Sequence, residues 1–402
     1  KSAGAAINSA DANGTIAIGY QAGLALTDGQ YNTLVGYQAG DGMTTGNDNT
    51  IMGYIAGGST DFNAGSQNTF LGSNAGNYAT NTYSNVYIGY RAAGTNKQGG
   101  YNVVIGDQAG YNPVGNNFSG SHNVFMGYAA GYNTGADKNV FIGSSAGQYT
   151  TGSYNTFVGQ AAGLGGTTSA PFSSGENNVA LGYQAGDALT TGYQNVAVGK
   201  GALGAANDGY QNTAIGHLAM GNSAANAGSG NIAIGYRAAE EFNDGFANTY
   251  IGTLSGGSEG GVSGDYNIGI GHQADKTRVA GNYNISIGYR ANEMQGLGGG
   301  ANSIAIGQNA SLRYGNIAAG VYQAKSNRIA IGSYAGAYMT SGDNSTIIGI
   351  NSYKGNASVY NATASYVTTL GANTGQYATG SYNTFIGAEA GKGGTTSAPF
   401  SS

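Results

Sequence analysis

The stretch NTLVGYQAG, residues 32–40, holds an amide, a short apolar run, a glycine, an aromatic and a small-residue tail within nine positions. It returns as NTFVGQAAG at 155–163, NVALGYQAG at 178–186 and NTFIGAEAG at 383–391. With the glycine after the apolar run as a marker, copies fall at Gly19, Gly36, Gly53 and Gly72 and continue to Gly371 and Gly387, mostly 16, 17 or 19 residues apart. A degenerate copy, NIAAG, ends at Gly320 and brings the total to about 22, so the repeat covers essentially the whole chain.

Stacking the copies gives columns. Asparagine stands four before the marker in most copies (Asn32, Asn68, Asn85, Asn102, Asn123 among them). Thr, Val or Ile stands three before it, Ile, Val, Leu or Met one before it, and Ala three after it. Beta-branched residues with a local period of two indicate strand. A spacing this short has no room for a crossover helix and a return strand, so the strands stack as parallel rungs. Positions i and i+2 share a strand face, and the two most apolar columns, three before and one before the marker, are therefore expected to point into the core. Glycine suits a bend with positive φ or close backbone approach, alanine a narrow corner, and stacked asparagines can bond rung to rung.

The expected fold is all-β: a repetitive parallel β-solenoid or β-roll of about 22 rungs of 16–19 residues, a rod on the order of 100 Å at the inter-strand spacing. It reads as one continuous repeat region over 1–402. Each rung carries few apolar side chains, so side-by-side association as a homotrimer is expected to supply the missing core; a monomeric solenoid is the competing reading. The early spacings place a longer loop at every third copy, which also fits three copies per turn of a triangular coil, although the beat later fails. Residues 147–174 return at 375–402 with five differences in 28 positions, an internal duplication that suggests a piece of a longer chain.

Composition narrows the function classes. Glycine is 76 of 402 residues and charged residues are 8%, which is unlike an ordinary globular domain, while 31 tyrosines are unlike a disordered chain. A net charge of -5 leaves no basic stripe, so nucleic acid is not an expected partner. No apolar run approaches transmembrane length, so membrane insertion is not expected. Absent cysteine excludes disulfides and thiolate metal sites.

Chemistry is sparse. His122, His217 and His272 lie in different rungs, and the adjacent carboxylates Glu240 and Glu241 point opposite ways on an extended chain, a poor acid/base pair. The loop aspartates do not recur in a calcium-binding frame. No catalytic residue, metal or cofactor is expected, and the chain does not read as an enzyme. The feature that remains is the column just after the marker: Tyr20, Tyr37, Tyr54, Tyr90, Tyr128, Tyr183, Tyr236 and Tyr289, followed in three rungs by Arg91, Arg237 and Arg290. Stacked rungs would align these tyrosines in a ladder suited to sugar or protein recognition, or to simple packing between rungs.

The motifs NIAIGYRA (231–238), NSIAIGQNA (302–310) and NRIAIGSYA (327–335) resemble the repeats of trimeric autotransporter adhesin heads. The phrases NTFIG, GYQAG and GSYNTF resemble bacteriophage tail-fibre repeats that precede an endosialidase-type chaperone. These resemblances imply a left-handed, trimeric, extracellular fibre that attaches to a host surface glycan or protein. The alternatives are a purely structural filament and, further off, a polysaccharide depolymerase.

Overall fold

A computed structural model describes the chain apart from residues 1–2, 7–12, 59–64, 96, 114–118, 166–172, 206–207, 223–227, 258–263, 277–280, 294–299, 312–325, 342, 356–361, 379 and 394–402. The degenerate copy ending at Gly320 and part of each half of the duplication lie outside the described residues. The chain divides into two compact units, Lys1–Gly201 and Ala202–Ser402.

Every regularly spaced marker glycine is preceded by a three-residue strand. The first unit holds eleven such strands, from Ile16–Ile18 to Val196–Val198, and the second ten, from Thr213–Ile215 to Thr384–Ile386. Within each unit neighbouring strands pair in parallel and in register, as in Ile16↔Thr33, Ala17↔Leu34 and Ile18↔Val35. Thr33, Leu34 and Val35 then pair with Thr50, Ile51 and Met52. One copy is thus one turn, and the triangular coil of three copies per turn is excluded. The described residues contain no helix; the second unit adds one short parallel pair, Met339–Ser341 with Ala362–Thr363. The fold is an all-β parallel β-solenoid.

The strand faces are the reverse of the expectation. The middle residue of the strand, two before the marker, is buried: Leu34, Ile51, Phe70, Val104 and Phe141 are all fully inaccessible. Its neighbours, such as Thr33 and Val35, are only half-buried, and Met52 and Leu71 are exposed. The physical reason is the narrowness of a turn of about 17 residues. Its interior accepts one strand side chain, the alanine three after the marker (Ala22, Ala39, Ala75), and the residue seven after it (Leu26, Met43, Ala79). The two most apolar columns are left on the outer face.

The interior columns compensate for one another in volume. Ala180, Ala233 and Ala330 in the strand are matched nine residues later by Leu189, Phe242 and Met339; Phe70, Phe125 and Phe141 are matched by Ala79, Thr134 and Thr150. All of these side chains are buried, so each of these six turns is filled by one large and one small group, while Leu34 and Met43 fill theirs with two larger ones. Large strand residues in consecutive turns stack: the ring centroids of Phe125, Phe141 and Phe157 lie 5.1 Å apart at each step.

Beside them runs an amide ladder. Asn85 is typical: its Nδ2 donates to Asn68 Oδ1 (3.1 Å) and to the Gly99 carbonyl (3.0 Å). Its Oδ1 accepts from the backbone N–H (2.9 Å) and Nδ2 (3.1 Å) of Asn102. A buried amide with all its partners met is cheap to bury. Ser303, Arg328, Ser345 and Val367 interrupt this column in the second unit.

The marker glycines are sterically required. Gly36 has φ +139, and a Cβ there would stand 2.3 Å from the carbonyl oxygen of Gly53 in the next turn. Two further positions per turn take φ near +55 without being glycine, for example Tyr31 and Gln38. Their N–H groups are each spent on the preceding turn, Tyr31 on Asn13 O (2.9 Å) and Gln38 on Tyr20 O (2.8 Å), which offsets the left-handed strain.

Candidate functional site

Alternation carries the outer face beyond the strand. In the rung of Thr33–Val35 the residues Tyr31, Thr33, Val35 and Tyr37 face outward, and the intervening Asn32 and Leu34 are buried. The surface of this rung is an aliphatic strip with an aromatic on either side; the pairs His122/Tyr128, Tyr266/His272 and Tyr283/Tyr289 repeat the arrangement, and the other rungs carry an aromatic on one side or on neither.

All eight tyrosines of the expected column are exposed. Tyr20, Tyr37 and Tyr54 form a ladder with centroids 5.0 and 5.3 Å apart and rings within 18° of parallel. Tyr90 lies under the Arg91 guanidinium (5.1 Å), and Lys200 sits 5.7 Å from the Tyr183 ring. Tyr236 stacks on His217 at 5.5 Å and Tyr289 on His272 at 5.4 Å, so these two histidines are members of the ladder. Tyr128 is exposed in the same column.

A second aromatic column, on the other side of the strand, was missed in the sequence. Tyr31, Tyr101, Tyr154, Tyr266, Tyr283, Tyr366 and Tyr382 stand five before the marker, all with positive φ and all exposed. Tyr266–Tyr283 and Tyr366–Tyr382 stack at 5.0 and 4.9 Å with nearly parallel rings, and Tyr101 stacks on His122 at 4.9 Å. The recurring dipeptide Tyr-Asn, just ahead of the apolar run, is the signal that marks it.

The three arginines differ in their surroundings. Arg237 Nε donates to Glu240 and Arg290 Nε to Glu293, three residues on, and both carboxylates are buried beside their partners. Glu240 is therefore committed to an ion pair and is not half of an acid/base couple. Three residues after Arg91 stands Gly94. Arg91 instead lies between the rings of Tyr90 and Tyr111 (5.5 Å to the latter) and faces a hollow of about 200 Å³ lined by Asn74, Asn77, Tyr78, Gly94 and Tyr111.

Among the described residues no group of three or more His, Asp or Glu side chains is placed to hold a metal ion, and no helix is long and apolar enough to cross a membrane. Burial pushes the Asp187 carboxyl up to about 6, against weaker opposing hydrogen bonds from its own backbone N–H and that of Ala188. Burial likewise raises Asp41. Comparison of the chain with protein-family models, curated proteins and solved structures returned no match.

Proposed function

We propose that the chain is a segment of an extracellular fibre whose rungs attach to a host or surface by many weak contacts, with chains associating side by side as a homotrimer. The observation that carries this reading is the outer face: a repeated aliphatic strip flanked by two exposed tyrosine columns. Rigid aromatic faces beside amides, as in Tyr37 and Gln38, bind sugars or proteins at low entropic cost. Repetition multiplies a weak contact into useful avidity without any single deep site. The aliphatic strip supports association, because contiguous exposed apolar surface on a soluble chain marks an interaction site.

A purely structural filament is the second reading, favoured by the stacking of Tyr20, Tyr37 and Tyr54 on one another. Retention of the chain on arrays of surface glycans and of cell-surface proteins separates the two. Attachment predicts retention on at least one class of surface that falls several-fold when Tyr20, Tyr37 and Tyr54 are replaced together by Ser. No retention on either array, with the chain folded, overturns attachment in favour of the filament.

A further inference from the structure

The second unit contains a corner that recurs in the first with one part missing. In the rungs of Arg237 and Arg290, an arginine two after the marker grips a carboxylate five after it, and the glutamate side chain is nearly inaccessible. In the first of these, an amide from the preceding turn completes the grip: Asn222 Nδ2 donates to Glu240 Oε1 at 3.3 Å. The corner is therefore built to hold a carboxylate against solvent.

Arg91 occupies the same corner, with Gly94 where the glutamate would be. Asn74 and Asn77 of the preceding turn stand on the amide side, and the space is the hollow itself. Among the described residues no hydrogen bond or ion pair engages the Arg91 guanidinium, which lies against the rings of Tyr90 and Tyr111. Between residues 62 and 136 the chain has two fixed cations, Arg91 and Lys97, against one carboxylate, Asp107, a local net of +1 in a chain of net -5.

We infer that the Arg91 hollow binds the carboxylate of an acidic sugar unit, a hexuronic acid or similar carboxylated saccharide, the external group taking the place of the internal glutamate. Guanidinium recognises carboxylate geometrically, the tyrosine faces of Tyr78 and Tyr111 suit the C–H face of a sugar ring, and Asn74 and Asn77 offer amides to its hydroxyls. The volume admits one sugar ring rather than a larger ligand. This inference deepens the attachment reading and rests on it for biological meaning, although the binding event itself does not need it.

The test is calorimetric titration of the whole 402-residue chain with a hexuronic acid tetramer, a neutral hexose tetramer and a glutamate-rich peptide of equal charge. The uronate tetramer is expected to bind at least tenfold more tightly than either of the others. Arg91→Gln should lose that binding at least tenfold and still fold, because Gln21, Gln38, Gln108 and Gln184 occupy the same column with the same backbone. Gly94→Glu should abolish it by restoring the internal pair, while Lys392→Gln leaves it intact. Equal binding of the neutral tetramer, tighter binding of the peptide, or full binding by Arg91→Gln each overturns the inference. Tetramer binding by a chain that is retained on no surface array would sustain the hollow and sink the attachment reading; retention undiminished in Arg91→Gln, with no tetramer binding, would do the opposite.

Discussion

At the scale of single residues, the buried asparagine column is a polar element that stabilises only while every partner is present. Asn85→Ala removes two donated and two accepted hydrogen bonds and leaves Asn68 Oδ1, Gly99 O and both the backbone N–H and Nδ2 of Asn102 short of a partner inside the turn. The cost should be about 2–3 kcal/mol, read as a shift of the urea midpoint at unchanged slope. Asp187 gives a pH signature. Its carboxyl, pushed up to about 6 from an ordinary 3.8, binds its proton more tightly in the folded than in the unfolded chain. Between those two values the folded state carries more protons, so this group's contribution to stability falls as pH rises through 6. Asp187→Asn should accordingly raise the melting temperature relative to the parent at pH 7.5, and the gap should close by pH 4. A constant gap across that range would show that the carboxylate is not the source.

At the scale of the rung, stability depends on filling a narrow turn and on leaving its bend bare. Gly72→Ala places a Cβ 2.4 Å from the Gly89 carbonyl at φ +141, and should cost roughly 3 kcal/mol or prevent folding. Phe141→Ala, in the middle of the phenylalanine stack, should cost about 3–5 kcal/mol. Adding Thr150→Leu should recover part of that loss, since the Ala180/Leu189 turn fills the same space in the opposite order. Thermal melts of the single and double variants read the coupling; strictly additive losses would mean that the two columns do not share volume.

The strands themselves were legible because marker glycine, β-branched residue and asparagine recur in fixed relation. Their orientation was not, because hydrophobicity ranks Thr33 and Val35 with the core when turn width admits only Leu34. The nine-residue volume exchange was readable in principle as Ala with Leu and Phe with Thr. The tyrosine column after the marker was visible; the one before Asn was hidden because it alternates with Asp48, Gln67 and Ser84. The Arg91 hollow required the three arginine rungs to be compared in space, since what sets it apart is an absent side chain.

At the scale of the whole molecule, the reversed strand faces give the association proposal its physical content. The turns are filled from within by Tyr87, Val104 and Phe125, so Ile88, Ile105 and Met126 are surplus to the single chain's own core. They stand instead on the outer strip in three consecutive rungs, paired in register as Ile88↔Ile105 and Ile105↔Met126. Burying such a strip gains roughly 25 cal/mol per Å² of apolar surface, and summed over many rungs that offsets the entropy lost on association. The chain should therefore sediment at three times its 40.1 kDa mass at micromolar concentration. Replacing Ile88, Ile105 and Met126 together by Lys should shift it toward 40.1 kDa while the circular dichroism of the β-sheet is unchanged, because these side chains support no turn from within. A parent chain that is already monomeric would make the strip a ligand face rather than a seam, and a lysine variant that remains trimeric would place the seam on another side of the rung.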